Sequence, residues 1–215
     1  MDMRDVLPLS RYTAAVALVL GVCSGHALAS GPVDSLISCE PSFFKQLYAQ
    51  RADLEKTVKL GRDDARALAW LPVPDRRKAD TAFQHFTPAV DDQGLRLTSY
   101  YDRVMDLDEE GVYYFWGFEI DASREQVMAR LPQANWQKAG EYFISRPRLK
   151  ADANTAWQDN PAAAEGIAPA AGSAEKVLML SVEAGKTRLL CSLQGSISGA
   201  LLQQERPDII QGATP

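Results

Sequence analysis

The sequence predicts an α+β fold, an antiparallel sheet with helices packed on one face. Three observations predict it. Short stretches of alternating apolar and polar residues follow one another along the chain, as half-buried strands do. Turn formers such as Asp108-Glu109-Glu110-Gly111 and Ala184-Gly185-Lys186 join them at hairpin distances. Segments of helical periodicity stand before clusters of strands, giving the order helix, helix, three strands, helix, strand, insertion, two strands.

The chain opens on a secretory signal, residues 1–29. Arg4 and Arg11 supply the positive flank, residues 13–22 form an apolar run, and Ala27-Leu28-Ala29 gives the small-x-small cleavage pattern before Ser30. The run is shorter than the ~20 apolar residues of a membrane-spanning helix, and no later stretch approaches that length, so no transmembrane segment is predicted. Cys23 follows Leu20-Gly21-Val22, as a lipid-anchored cysteine would, but Val22 is bulky where bacterial lipid attachment takes a small residue. A periplasmic or secreted protein, cleaved near Ala29, is therefore expected over one anchored at Cys23. Cleavage leaves Cys39 and Cys191, most simply a disulfide in an oxidising compartment, with two separately buried thiols as the alternative.

Residues 30–198 read as one domain. Phe43, Leu47, Leu54 and Val58 recur at helical spacing over residues 38–58, with Ser38 as the N-cap and Pro41 in the first turn. A second helix is expected over 63–70, ended by Pro72. Strands follow at 81–86, 95–104 and 112–120. Alternation in the last places Val112, Tyr114, Trp116, Phe118 and Ile120 on the core face and Tyr113, Phe115, Gly117 and Glu119 on the other. Residues 121–131 form a third helix, capped by Ser123 with Gln126 three residues on, in a capping box, and ended by Pro132. A strand at 141–146 closes at Pro147. Residues 151–173, rich in Ala, Gly, Pro, Asn and Asp, read as a mobile insertion. A hairpin of 176–183 and 187–197 completes the domain, and the tail 199–215 opens on a short helical turn and frays. Similar block openings at Arg62-Asp63-Asp64 and Arg124-Glu125-Gln126 hint at two tandem helix-plus-strands units.

Residues Ser123-Arg124-Glu125-Gln126-Val127, Leu131-Pro132, Trp136, Glu141-Tyr142-Phe143 and Glu183-Ala184-Gly185-Lys186 carry a family likeness. In this C-terminal half, interrupted by 151–173, the chain resembles small bacterial envelope proteins of the outer-membrane-assembly lipoprotein and β-lactamase-inhibitor-protein type. The resemblance implies a helix layer on a sheet that binds other proteins and catalyses nothing. The helix departs from the pattern in lacking Gly at its start and after its final Leu.

Of 215 residues, 23 are Lys or Arg and 28 Asp or Glu, a formal net charge of −5, with 46 % hydrophobic and 24 % charged. That balance excludes a collagen, a coiled coil or a wholly disordered chain, and an acidic chain is a poor partner for nucleic acid. His85 is the one histidine after the signal, too few for a zinc site or for more than a marginal Ser-His-Asp arrangement. The acidic run 106–111 matches an EF-hand loop at its first positions, but Gly117 stands where the bidentate Glu belongs, so a solvated turn is expected. Gly185-Lys186-Thr187 lacks the first glycine of a phosphate loop, since position 180 is Leu180. No catalytic residue, metal or cofactor is assigned.

Aromatic residues crowd two strands, and strict alternation leaves Tyr113 and Phe115 outward beside Tyr100. Outward aromatics of this kind resemble the anchors of protein-binding surfaces, the alternative being that a helix or the insertion covers this face too. The expected function is a non-catalytic protein-binding or inhibitory module acting on another envelope protein through Tyr100, Tyr113 and Phe115. Two other classes stay open: an envelope glycan or peptide hydrolase with paired carboxylates, and a small-ligand-binding protein with an apolar cavity beneath the aromatic strands.

Overall fold

The computed structural model describes residues 31–209 except 153; the predicted signal with Cys23, and the end of the tail from 210, lie outside the described residues. The helices are α1 (Pro32–Leu36), α2 (Ser42–Ala49), α3 (Arg51–Leu54), α4 (Arg124–Arg130) and α5 (Gly199–Glu205). The strands are β1 (Gly61–Asp63), β2 (Leu68–Trp70), β3 (Phe83–Asp92), β4 (Leu95–Asp106), β5 (Val112–Ile120), β6 (Gln137–Ala139), β7 (Tyr142–Lys150), β8 (Gln158–Asp159), β9 (Ala174–Glu183) and β10 (Lys186–Gly195). An 8-stranded sheet runs in the order β3-β4-β5-β10-β9-β7-β6, with β8 on β7, and every pairing in it is antiparallel. The fold is α+β, as the sequence predicts, and no described helix is long and apolar enough to cross a membrane.

The predicted core face of β5 is the observed one. Tyr114, Trp116, Phe118 and Ile120 are buried, beside Leu189, Cys191 and Leu193 of β10. Phe43 of α2 packs on this layer, its ring 6.5 Å from Tyr100 and 6.1 Å from Phe118. Val127 of α4 and Leu201 of α5 are buried as well. Ser123 caps α4 through a complete capping box with Gln126.

Cys39 and Cys191 are bonded, tying the first helices to β10 across 152 residues. The predicted helix over 38–58 does not run whole: it begins at Ser42, breaks at Gln50 between α2 and α3, and ends at Leu54. Cys39 takes a left-handed backbone, φ 51°, which turns the chain between α1 and α2. Pro41 rather than Ser38 occupies the N-cap of α2.

The predicted helix over 63–70 is instead the β1–β2 hairpin, with Gly61 opposite Trp70. The Arg66 N–H donates to Asp63 Oδ1 and Ala67 turns with φ 51°, so these residues form a turn where a helix was expected. The two block openings are thus a hairpin and a helix, and the tandem duplication drawn from their likeness does not hold. Strand β7 continues through Pro147, because a register shift between Ser145 and Arg148 absorbs the proline that was expected to end it. Within 151–173, β8 pairs with β7 and a 3-10 helix, Pro161–Glu165, packs near β6 and β7.

The segment after α5 is buried where fraying was expected. Arg206 is 0 % exposed. Its Nη2 lies 2.9 Å from Asp102 Oδ2 and 2.8 Å from Asp208 Oδ2, and Arg76 meets the same two carboxylates at 2.7 and 3.3 Å. Beside this network, Lys176 Nζ lies 2.9 Å from Glu205 and 2.8 Å from Glu40.

Replacing both Cys39 and Cys191 by serine is expected to lower stability by up to about 5 kcal/mol, the chain-entropy limit for so long a loop. Urea unfolding of the oxidised protein and the double variant measures the difference; equal midpoints would contradict it.

Candidate functional site

Helices cover one face of the sheet, and β5 turns Tyr113, Phe115 and Glu119 to the other. Tyr113 and Phe115 stand side by side there, both half-buried, with ring centres 6.2 Å apart. Their neighbours across the ladders are Met105 and Arg103 on β4, and Gln194 and Ser192 on β10.

Tyr100 does not join them. It is fully buried on the helix side, opposite Phe118, and burial pushes its phenol well above its ordinary pKa. The cause is an irregularity in β4. Leu97 pairs with Ile120 and Ser99 with Glu119, so the extra residue Thr98 shifts the alternation by one. Leu95 and Leu97 face the core before it, and Tyr100, Asp102 and Val104 after it. The outward tyrosine of this strand is Tyr101, opposite Gly117.

At the Tyr101 end the charges are satisfied within the protein. The Arg188 guanidinium lies 5.0 Å from the Tyr101 ring centre and 5.3 Å from that of Phe83. It donates to Glu119 at 3.0 Å and also to Glu183, while Ser99 donates to Glu119 at 2.6 Å. His85 lies exposed on edge strand β3 with its ring 5.8 Å from Phe83. The acidic run folds as a 3-10 turn between β4 and β5, and Ala184-Gly185 as the tight turn of the β9–β10 hairpin.

Arg103 is different. It lies opposite Phe115, between Tyr101 and Met105 on the same face of β4. It makes no ion pair among the described residues, and its Nη1 is buried without an acceptor. Arg103, Arg77, Met105 and Tyr114 line a groove of about 560 Å³ at this end of the sheet, together with Asp106, which makes no ion pair with Arg103.

A second groove, about 320 Å³, lies between the insertion and the sheet. Tyr113, Tyr142, Ile144 and Met179 form its floor, and Ile167 and Ala168 its lip. Its one carboxylate is Glu175, 2 % exposed. Asn160 Nδ2 donates to Glu175 Oε1 at 3.0 Å and Gln194 Nε2 to Oε2 at 2.8 Å. Burial raises the Glu175 pKa above its ordinary value, against those two hydrogen bonds. A single carboxylate is not the pair that glycosidase chemistry uses. Sequence reasoning misses Glu175 because the predicted strand starts at Lys176, one residue after it, and no local pattern shows that Asn160 and Gln194 enclose it.

No protein-family model, no curated protein and no solved structure matches this chain.

A raised carboxyl pKa means the folded protein holds the Glu175 proton more tightly than the unfolded chain does. That contribution favours folding fully below the ordinary glutamate pKa, about 4.3, and is lost as pH rises through the raised value. Glu175→Gln is therefore expected to gain on the native protein between pH 4 and pH 7. Thermal midpoints of both proteins across that range check it, and a gap that does not change with pH would contradict it.

Proposed function

We propose that this chain is an exported, non-catalytic module that binds, and by binding restrains or positions, another envelope protein. The observation carrying this reading is the surface formed by Tyr101, Arg103, Met105, Tyr113 and Phe115. Aromatic residues and arginine dominate the energetics of protein interfaces. Here an arginine without a carboxylate sits among half-buried rings, on the face that the helices leave open. The partner that fits presents apolar side chains around an aspartate or glutamate, whose carboxylate would accept from Arg103. A disulfide and the lack of a membrane-spanning helix among the described residues are compatible with an extracellular or periplasmic setting. A helix layer on a sheet is also the architecture that the resemblance to envelope inhibitor and assembly proteins implies.

Photo-crosslinking tests the surface. A benzophenone side chain at Met105, exposed beside Tyr113, should give one discrete adduct in the envelope of the native cell, and one at Gln203, exposed on α5, should not. Arg103→Glu should abolish the adduct, as should Tyr113→Ala with Phe115→Ala, while the melting temperature falls by only a few degrees. A collapse in stability matching that of Phe118→Ala would place those rings in the core and overturn the reading. An adduct that survives Arg103→Glu would overturn the partner chemistry.

A further inference from the structure

We infer that the groove beneath the insertion is a binding site for a small organic ammonium ion with an apolar body. It shares Tyr113 with the proposed protein-binding surface, but its carboxylate and its lip lie outside that surface, so it does not depend on the protein-binding reading.

Three features of the groove converge on this ligand class. The first is shape and lining: about 320 Å³, walled mainly by Tyr142, Ile144, Val177, Met179 and Ile167, sits at the small end of ligand-sized pockets. The second is charge. Glu175 is buried with two neutral amide donors and no cation paired to it among the described residues. Amide donors satisfy part of the carboxylate's acceptor capacity but leave its charge uncancelled, and an uncompensated buried charge is costly. Each oxygen retains a further acceptor position. An ammonium group supplies both the missing donors and the missing charge, through a charge-assisted hydrogen bond. The third is the company of Tyr113 and Tyr142 in the same lining, since aromatic rings are favourable neighbours for an ammonium.

The groove is also assembled for this carboxylate. Asn160, which holds one oxygen of Glu175, immediately precedes the 3-10 helix Pro161–Glu165 in the insertion. Gln194, which holds the other, comes from the strand between β5 and β9. The insertion therefore brings the lip and one support of the anionic anchor together. A carboxylate ligand would meet repulsion at Glu175, and a wholly neutral one would leave the charge as it was.

Calorimetric titration of the whole protein with phenethylammonium, and with 3-phenylpropionate as its anionic counterpart, tests the assignment. Phenethylammonium should bind saturably and 3-phenylpropionate should not. Glu175→Gln should weaken the amine at least tenfold while the protein remains folded. Ala168→Trp, at an exposed lip position, should block binding by filling the groove without touching the carboxylate. Equal binding of both probes, undiminished binding to Glu175→Gln or Ala168→Trp, or no saturable binding of the amine to the native protein would each overturn it.

Discussion

A fully buried guanidinium is the constraint around which this fold closes. Arg206 comes from the end of the described chain, Asp102 from the middle of β4, and Arg76 from the connection before β3. Two arginines and two aspartates balance in charge, and the Arg206 guanidinium carbon lies 4.7 Å from the Trp116 ring centre. Trp116 pairs across the sheet with Cys191, so the ion network and the disulfide meet in one layer. Removing a single partner from such a network leaves a buried charge uncompensated, which costs about 3–5 kcal/mol, whereas the intact set adds little over a well-packed apolar core. Its contribution is to specify where the last segment of chain must lie.

That arrangement divides the sheet into two surfaces with different chemistry. On the helix side, apolar packing, the disulfide, the Arg206 network and the Lys176–Glu205 pair hold the covering layer in place. On the other side, Arg103 and Glu175 make no ion pair among the described residues. They have opposite sign and lie in separate grooves. In the proposed readings one meets a partner's carboxylate and the other an ammonium, which would give the face a chemical polarity.

Much of this architecture is legible in the sequence, and its failures have local causes. Alternation in β5 and the capping box at Ser123 are strong signals because each follows from one element's own periodicity or cap. The pairing of Cys39 with Cys191 follows from the count of cysteines left after the predicted signal. The face of Tyr100 was misjudged because one extra residue, Thr98, reverses the alternation, and a bulge leaves no mark in an apolar pattern. The 63–70 segment differs because the Asp63 side chain closes a turn and Ala67 takes a left-handed backbone, neither of which a short apolar pattern shows. Arg206 looked like part of a frayed tail because burial of a charge depends on partners 104 and 2 residues away, which no local pattern shows. Glu175 was hidden for the same reason, its environment being completed by Asn160 and Gln194.

The central claim is that the two faces of one sheet have separate tasks, the helix side structural and the other side available to partners. Hydroxyl-radical footprinting of the folded protein, read residue by residue by mass spectrometry, tests it most directly. The account predicts ready oxidation of Met105, Tyr113 and Phe115, with Tyr100, Trp116 and Phe118 protected until the protein unfolds. Protection of Tyr113 and Phe115 equal to that of Tyr100 would mean that a second layer covers them, and no open face would remain.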